Sequence, residues 1–547
     1  MYDYERFARS LASIDIPRSR FQMDFPIKTT FNHGQIIPLL RVEVLPGDTW
    51  QCEGFRMVLR LSSPLKTPIM DNISASVFIF FVPMRLLWKH WKNFMFENTE
   101  SKWYSKTEYT IPMITAPDGG WNSKSLADYF GIRPGVKVKI NQLSFRAYAL
   151  IYNEWFRDQN LIDPVFFDDG DSDIDGTNGT DYVNDVFKGS VVMNISRHRD
   201  YFASCLPGPQ KGPDVFLPLS DNAPVFFTDG SNYLGKEVGT SEYMKFVQND
   251  DNTVWKAIGS SVPIGTMSDG TGSINPSSSF NGSRHILLDN AFADMSKATA
   301  TTINQLRIAF QLQKFYERLA IGGSRYTEVI RAFFNVESSD ARLQRPEFLA
   351  GDRFPVNVNQ VINNSSDLGE LGGYSMTFGE GCQFIKSFEE HGLIIAVIAT
   401  QHSHSYQQGI DRFFYKDTFD KFFFPVFNNL GEQPVYNREL YAKGDSSDNQ
   451  VFGYQENFPE YRSGRSMVTG EFRSGVPNSL DTWHLSDDYS DTPVLSKEWI
   501  EENPVSLDRV LKVTSAVSNQ YLLDGIFNFK VSRPMSEYGV PGLIDHN

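Results

Sequence analysis

Hydrophobic and polar positions alternate along short runs at both ends of this 547-residue chain. Such runs predict β-strands, and turn residues such as Pro46, Gly47 and Asp48 separate them. The predicted strands cover 36–45, 55–61, 73–82, 393–400, 508–517 and 521–531. Around Ile79 and Phe81 the run is apolar at successive positions, which predicts a strand that is buried on both faces.

Two segments have a helical period instead. In 141–158 one apolar stripe consists of Leu143, Ala147, Leu150, Ile151 and Trp155. In 302–320 a second stripe consists of Ile308, Leu312, Phe315 and Leu319. Thr302 and Gln305 have the spacing of a capping box at the start of this second helix. We expect both helices to be packing elements in the loops of a β domain.

The middle of the chain has a different character. Residues 161–300 contain 19 acidic residues against nine basic ones, are rich in Gly, Ser, Asn and Asp, and have few strand patterns. We interpret most of this region as a surface insertion between two parts of one β domain, with a long disordered loop as the alternative.

Composition narrows the class of protein. Hydrophobic residues make up 41%, aromatic residues 14% and charged residues 21%, which is typical of a globular, β-rich chain. The net charge of −15 excludes a surface that is basic throughout, but not a local basic face. Cys52, Cys205 and Cys382 stand far apart, which predicts free thiols. We expect no signal peptide, and the apolar runs are shorter than a membrane-spanning helix needs.

Enzyme signatures are absent from the sequence: it has no nucleophile-elbow, zinc-protease, phosphate-loop or dinucleotide motif. His402 and His404 fall on one face of a predicted strand, with His391 near in sequence. These histidines are either two ligands of a metal site that needs further ligands, or ordinary polar residues of a strand.

An acidic loop is a second candidate metal site. Asp171, Asp173 and Asp175 alternate before Gly176, as in the first half of a calcium-binding loop. The twelfth position is Tyr182 where a bidentate Glu is needed, and Asp181 lies beside it. The loop is therefore a possible Ca²⁺ site, with a solvated acidic loop as the alternative; we expect no other cofactor.

Two clusters of arginine are candidates for binding DNA, because cations neutralise phosphates and neighbouring aromatic rings stack on bases. The first is an N-terminal arm with Arg6, Arg9, Arg18 and Arg20, for which a plain solvated terminus is the alternative. The second consists of Arg462, Arg465 and Arg473. Lys416 and Lys421 flank runs of phenylalanine, and we expect those phenylalanines to be core residues.

Several long strings resemble one family, in order along most of the chain outside 213–300. They include PLLRVEVLPGDTW (38–50), RAYALIYNEWFRDQNL (146–161), RHRDYFASCLPGPQKG (197–212), SYQQGIDRFFYKDTFDKFFFP (405–425) and RPMSEYGVPGLIDH (533–546), besides a longer string over 306–351. The chain is similar in these strings to the major capsid proteins of gokushoviruses, which are small single-stranded DNA bacteriophages of the microvirus group. Gly208 departs from the pattern, where a bulky aromatic residue is expected.

The resemblance implies a mainly β fold, a viral jelly roll of eight antiparallel strands in two sheets with large loop insertions and a few helices. It implies a structural protein, not an enzyme, that self-assembles into a T=1 icosahedral shell around circular single-stranded DNA. The resemblance also implies a division into 1–212, a variable insertion over 213–297 and 298–547. The insertion at 213–297 would form a spike at the threefold axes and take part in host attachment.

The resemblance also implies partners and a location. The partners are further copies of the chain, the DNA genome, an internal scaffolding protein, a DNA pilot protein, a small basic DNA-binding protein and a host surface receptor. The protein would belong to the virion and would be assembled in the host cytoplasm. The rival interpretation is a calcium-binding jelly-roll protein that binds or cleaves carbohydrate, for which paired carboxylates would be required.

Overall fold

The computed structural model describes residues 17–97, 107–213, 215, 303–322, 326–334, 344–362 and 371–538, together with short strands between 225 and 293. The chain divides into two compact units, one formed by 1–211 with 317–547 and the other by 212–316. The expected insertion at 213–297 lies mostly outside the described residues, so its role at the surface stays a prediction.

The strands of the first unit begin near the N-terminus. In chain order they are β1 (Ser19–Phe31), β2 (Ile37–Val44), β3 (Thr49–Leu61), β4 (Ile73–Pro83), β5 (Met113–Thr115), β6 (Lys139–Asn141) and β7 (Ile174–Asp175). The second unit contains β8 (Val225–Thr228), β9 (Tyr233–Leu234), β10 (Lys245–Gln248), β11 (Val254–Lys256), β12 (Ile264–Thr266), β13 (Gly272–Ile274), β14 (Ile286–Leu288) and β15 (Ala291–Ala293).

The first unit then continues with the remaining strands. They are β16 (Glu347–Pro355), β17 (Val358–Ile362), β18 (Leu371–Ser375), β19 (Thr377–Gly381), β20 (Phe384–Ser387), β21 (Gly392–His402), β22 (Gln433–Tyr436), β23 (Val451–Gln455) and β24 (Tyr521–Arg533).

In chain order the α-helices are α1 (Met84–Leu87), α2 (Trp91–Phe94), α3 (Leu126–Tyr129), α4 (Leu143–Ile151), α5 (Ile303–Gly322), α6 (Tyr326–Phe334), α7 (Asn437–Leu440), α8 (Lys497–Ile500) and α9 (Val505–Asp508). Among the described residues, α5 is the long helix with 20 residues, α4 and α6 have nine each, and the other α-helices have four. A π-helical turn, Tyr152–Phe156, continues α4. None of the helices in the described residues has both the length and the apolar character that crossing a bilayer requires.

Two antiparallel sheets form the centre of the first unit. One has the order β1-β24-β3-β19, with β20 also paired to β3, and the other has the order β16-β4-β21-β2. Successive large strands alternate between the two sheets, except that β4 and β16 follow each other and pair within one sheet, which is the connectivity of a jelly roll. The predicted fold class is therefore confirmed.

The core between the sheets is formed by the inward residues of each strand. The rings of Phe55 from β3 and Phe527 from β24 stack at 4.2 Å, and the ring centres of Trp50 from β3 and Phe529 from β24 are 5.3 Å apart. Val77 and Ile79 of β4 complete this layer from the opposite sheet. Side chains that alternate in and out of a sheet bury one set between the layers.

The second sheet has a covering layer on its other face. Phe80 of β4 and Ile395 of β21 pack there against a layer formed by α1, α2 and α4 with their loops, where Leu87 and Phe145 are fully buried. Every position of β21 is buried, as is nearly every position of β4. This confirms the predicted strand buried on both faces.

Three predictions of local structure were inaccurate. The segment 508–517 is not a strand, because it continues from the helix Val505–Asp508, and its buried Val510 and Leu511 are adjacent instead of alternating. Strand β1 was interpreted as part of a terminal arm. The predicted packing stripe of α5 is exposed, with Ile308 66% accessible.

Candidate subunit-contact surface

The segment 410–430, which we call the aromatic segment, exposes large apolar side chains in succession. Phe413 is 64% accessible, Phe414 76%, Phe419 73% and Val426 86%. Ile410, Phe422, Phe423, Phe424 and Leu430 are exposed as well. The prediction that these phenylalanines are core residues of the subunit is wrong. Contiguous exposed apolar surface of this kind marks a site of protein–protein contact.

Local geometry fixes the backbone of the aromatic segment. It consists of three 3-10 turns, Arg412–Tyr415, Phe419–Lys421 and Pro425–Asn429. The carboxylate of Asp411 accepts a hydrogen bond of 2.8 Å from the backbone N–H of Phe413 and so caps the first turn. Pro425 starts the third turn, where its missing N–H costs nothing. The exposed rings are therefore held on a shaped loop.

Cations of the same segment point inward. The ammonium of Lys416 is 2.6 Å from Glu460 Oε1 and 4.4 Å from the ring centre of Tyr461, and the Lys416 side chain is only 4% accessible. The guanidinium of Arg412 is 3.1 Å from Glu439 Oε1. Burying charge is costly unless it is paired. Arg412 and Lys416 are thus largely buried while the phenyl rings are exposed, whereas Lys421 and Asp417 of the same segment pair with each other at the surface.

The arginines of the predicted N-terminal arm fall into two groups. Arg6 and Arg9 lie outside the described residues. Arg18 and Arg20 are exposed; Arg20 belongs to β1 and donates a hydrogen bond of 3.2 Å to Gln51 Oε1, and Arg18 donates to the carbonyl of Gly47. These two residues are therefore not part of a free arm.

The second arginine cluster is engaged with the protein's own backbone. Arg462 donates to the carbonyl of Asn457 at 2.7 Å, and Arg473 donates to the carbonyl of Gln407 at 2.9 Å. The guanidinium of Arg465 lies 5.1 Å from the ring centre of Phe202. Each arginine therefore makes a contact within the subunit. That these three arginines bind DNA stays a prediction.

The carboxylates of the acidic loop have separate partners. Asp171 accepts hydrogen bonds of 2.7 Å from both Trp88 and His90. Burial would raise the pKa of Asp171, but those bonds hold it below its usual range. Asp173 is 2.6 Å from the ammonium of Lys139, whose hydrogen bond lowers the pKa of Asp173.

The other two carboxylates of the acidic loop, those of Asp175 and Asp181, do not form a metal-ligand cluster with the first two either. Asp175 is exposed, and Asp181 accepts a hydrogen bond of 2.7 Å from Asn184. In the described part of the chain, these four aspartates are not among the clusters with metal-ligand spacing. A calcium site in the loop stays a prediction.

The histidines have a different environment from the one expected. His391 lies at the opposite end of β21 from His402, beside Trp91. His402 instead meets His33 and Glu502, all fully or almost fully buried, and His404 meets Asp487 and Glu502. His33 and Glu502 were missed because nothing in the sequence links positions hundreds of residues apart.

Electrostatics within this histidine cluster favour charged carboxylates. Burial would raise the pKa of Glu502, but His402 and the other imidazoles hold it well below its usual range. Burial would lower the pKa of His404, but the adjacent Asp487 carboxylate raises it to about 9. Arg197 forms an ion pair with Asp487 and completes the chain of charges.

Comparisons with known proteins all match this chain to capsid proteins, over almost its whole length. The family model described as "Capsid protein (F protein)" matches residues 10–543. The chain is 37% identical to the capsid protein VP1 of Bdellovibrio phage phiMH2K over 539 residues, which cover 97% of this chain and 96% of that protein. It is also 37% identical to capsid protein VP1 of Spiroplasma virus 4 and 36% identical to that of Chlamydia phage 1, over 96% of both chains in each case.

Proposed function

Because the chain belongs to the capsid protein (F protein) family of microvirus-type phages, we propose that it builds a T=1 icosahedral shell around a circular single-stranded DNA genome. As a major capsid protein it is a structural component of the virion and assembles into an oligomeric shell.

The observation that supports this proposal is the exposed apolar surface of the aromatic segment. In a shell, a second copy of the chain would lie against the aromatic segment. It would cover the rings that are exposed in the isolated subunit. Fully burying one Phe or Val side chain is worth roughly 1.5–3 kcal/mol. Phe413, Phe414, Phe419 and Val426 together offer several kcal/mol per contact before the costs of association are counted. Closed symmetry then repeats the same contact throughout the shell.

Contacts with DNA would come from basic residues on the inner surface. We expect Arg6 and Arg9 to neutralise phosphates without reading sequence, because their positive charges interact with the DNA backbone whatever the bases are. A net charge of −15 leaves most of this neutralisation to other proteins. The proposed partners are a small basic DNA-binding protein, a DNA pilot protein and an internal scaffolding protein.

The insertion at 213–297 would carry host attachment through a surface receptor, and assembly would take place in the host cytoplasm. We propose no enzymatic activity. The rival, a calcium-dependent carbohydrate-binding jelly roll, draws no support from the acidic loop, since Asp171 and Asp173 already pair with His90 and Lys139.

The proposal is tested by removing the exposed rings. The double variant Phe413→Ser with Phe414→Ser should fold as a subunit but should no longer form shells in sedimentation and negative-stain electron microscopy. Phe378→Ser is the matched control, since Phe378 is 68% accessible and lies on β19, outside the aromatic segment. Shell formation by the double variant at the wild-type concentration would show that another surface drives assembly.

A further inference from the structure

We propose that His33, His402 and Glu502 form a binding site for one divalent transition-metal ion, of which zinc is the best fit. The three side chains come from the β1–β2 turn, the end of β21 and the segment between α8 and α9. The ion would therefore tie together three parts of the chain that are distant in sequence. This inference is independent of the proposed function.

The spacing of the three ligand atoms carries the proposal. His33 Nε2 is 3.1 Å from His402 Nδ1, and Glu502 Oε2 is 3.4 Å from the first and 3.2 Å from the second. Ligands about 2.0–2.1 Å from one zinc ion at tetrahedral angles lie roughly 3.3–3.4 Å apart. The triangle has nearly that size, and all three side chains are fully buried.

The carboxylate supplies a second, independent observation. Two imidazoles 3.1 Å apart can simply share a proton, so their distance alone does not indicate a metal. However, Glu502 Oε2 is buried beside both imidazoles and has no hydrogen-bond partner, and His402 Nε2 has none either. A buried polar atom without a partner costs free energy. A cation held between the three side chains would satisfy Glu502 Oε2.

Surrounding residues orient the ligands as the outer shell of a metal site does. The other nitrogen of His33, Nδ1, is 3.3 Å from the hydroxyl of Tyr521. The other oxygen of Glu502, Oε1, is 3.2 Å from His404 Nε2, and His404 Nδ1 is 2.9 Å from Asp487 Oδ1. The second polar atoms of His33 and Glu502, which would not bind the ion, are thus held by neighbouring residues. Nε2 of His402 has no such partner.

The backbone also makes room for the carboxylate. Gly34 follows His33 with a φ of 82°, and a Cβ at this position would lie 2.7 Å from the Cβ and the carbonyl oxygen of Glu502. Only glycine permits this approach without strain. Two imidazoles and one carboxylate select zinc or a neighbouring transition metal over calcium and magnesium, which prefer oxygen ligands.

Metal analysis of the purified full-length protein tests the proposal. Protein expressed in zinc-supplemented medium should contain about one zinc ion per subunit by mass spectrometry of the metals. Glu502→Gln, which keeps the shape of the side chain, and His402→Ala should both reduce zinc to background. His391→Ala, at the other end of the same strand, should leave it unchanged. Zinc that persists in both ligand variants would overturn the assignment.

A second measurement covers variants that fail to fold. Wild-type protein stripped with a strong chelator should lose several degrees of melting temperature and regain them when zinc is added. Added Co²⁺ should give the intense visible absorption of a tetrahedral site. A wild-type protein that holds no transition metal, and whose melting temperature responds to neither chelator nor zinc, would show that the cluster is only a hydrogen-bonded network.

Discussion

Phenylalanine side chains have opposite environments in the sandwich core and in the aromatic segment. Phe55 and Phe527 are 0% accessible between the two sheets, whereas Phe414 and Phe419 are more than 70% accessible. The aromatic segment also contains a buried cation, since Lys416 pairs with Glu460 and is only 4% accessible. Aromatic residues in this chain therefore form one core that folding completes, and a second set of exposed rings that we propose a second copy of the chain covers.

The largest expected effect tests the core side of this comparison. Phe527→Ala removes a ring stacked on Phe55 and should reduce the free energy of unfolding of the subunit by about 3–5 kcal/mol. Phe419→Ala, at an exposed ring, should change it by no more than about 0.5 kcal/mol. Urea denaturation of unassembled protein measures both values, and equal losses would break the comparison.

An intermediate effect is expected for the buried ion pair beneath the aromatic segment. Glu460→Leu leaves the ammonium of Lys416 without its carboxylate and should cost roughly 3 kcal/mol of subunit stability. Adding Lys416→Met to that variant should recover most of the loss, because no unpaired charge then remains. A double-mutant cycle in urea gives the coupling, and the absence of coupling would mean that the ions do not anchor the segment.

A smaller effect concerns assembly alone. Val426→Ser should leave the free energy of unfolding within about 0.5 kcal/mol of wild type but raise the protein concentration needed for assembly roughly tenfold. Light scattering over a concentration series measures this threshold. Val517→Ser is the matched control, because Val517 is 76% accessible and lies outside the segment. Equal thresholds for the two variants would remove the distinction between the aromatic segment and other exposed surface.

The smallest effect separates assembly from cargo. Arg6→Ala with Arg9→Ala should permit shell assembly but lower the DNA content of purified particles, measured as the ratio of nucleic-acid to protein absorbance. Each lost phosphate contact should reduce the salt slope of single-strand binding by about 0.7. Failure of this variant to assemble would assign the arm to subunit contacts instead.

Much of the fold could be predicted because alternation of apolar residues reports burial directly. The predicted strands at 73–82, 393–400 and 521–531 correspond to β4, β21 and β24. Strand β1 also alternates, with apolar Phe21, Met23, Phe25 and Ile27, but in the sequence alone the nearby arginines favour a solvated basic arm.

The candidate sites were harder to predict because they depend on contacts across the fold. The run around Phe413 has the composition of a core, and sequence alone does not say whether a core is closed within one chain or between two. His402 and His404 were identified as polar residues on one strand face, yet their partners Glu502 and Asp487 are about 80 to 100 residues away. Only the folded sandwich brings these residues together.

A cryo-electron microscopy map of particles assembled from this chain tests the central claim most directly. The account predicts a closed shell in which Phe413, Phe414, Phe419 and Val426 are buried against a neighbouring subunit, while Lys416 and Glu460 keep their pairing within the subunit. A shell in which these four side chains face solvent or the interior, with contacts formed elsewhere, would contradict it.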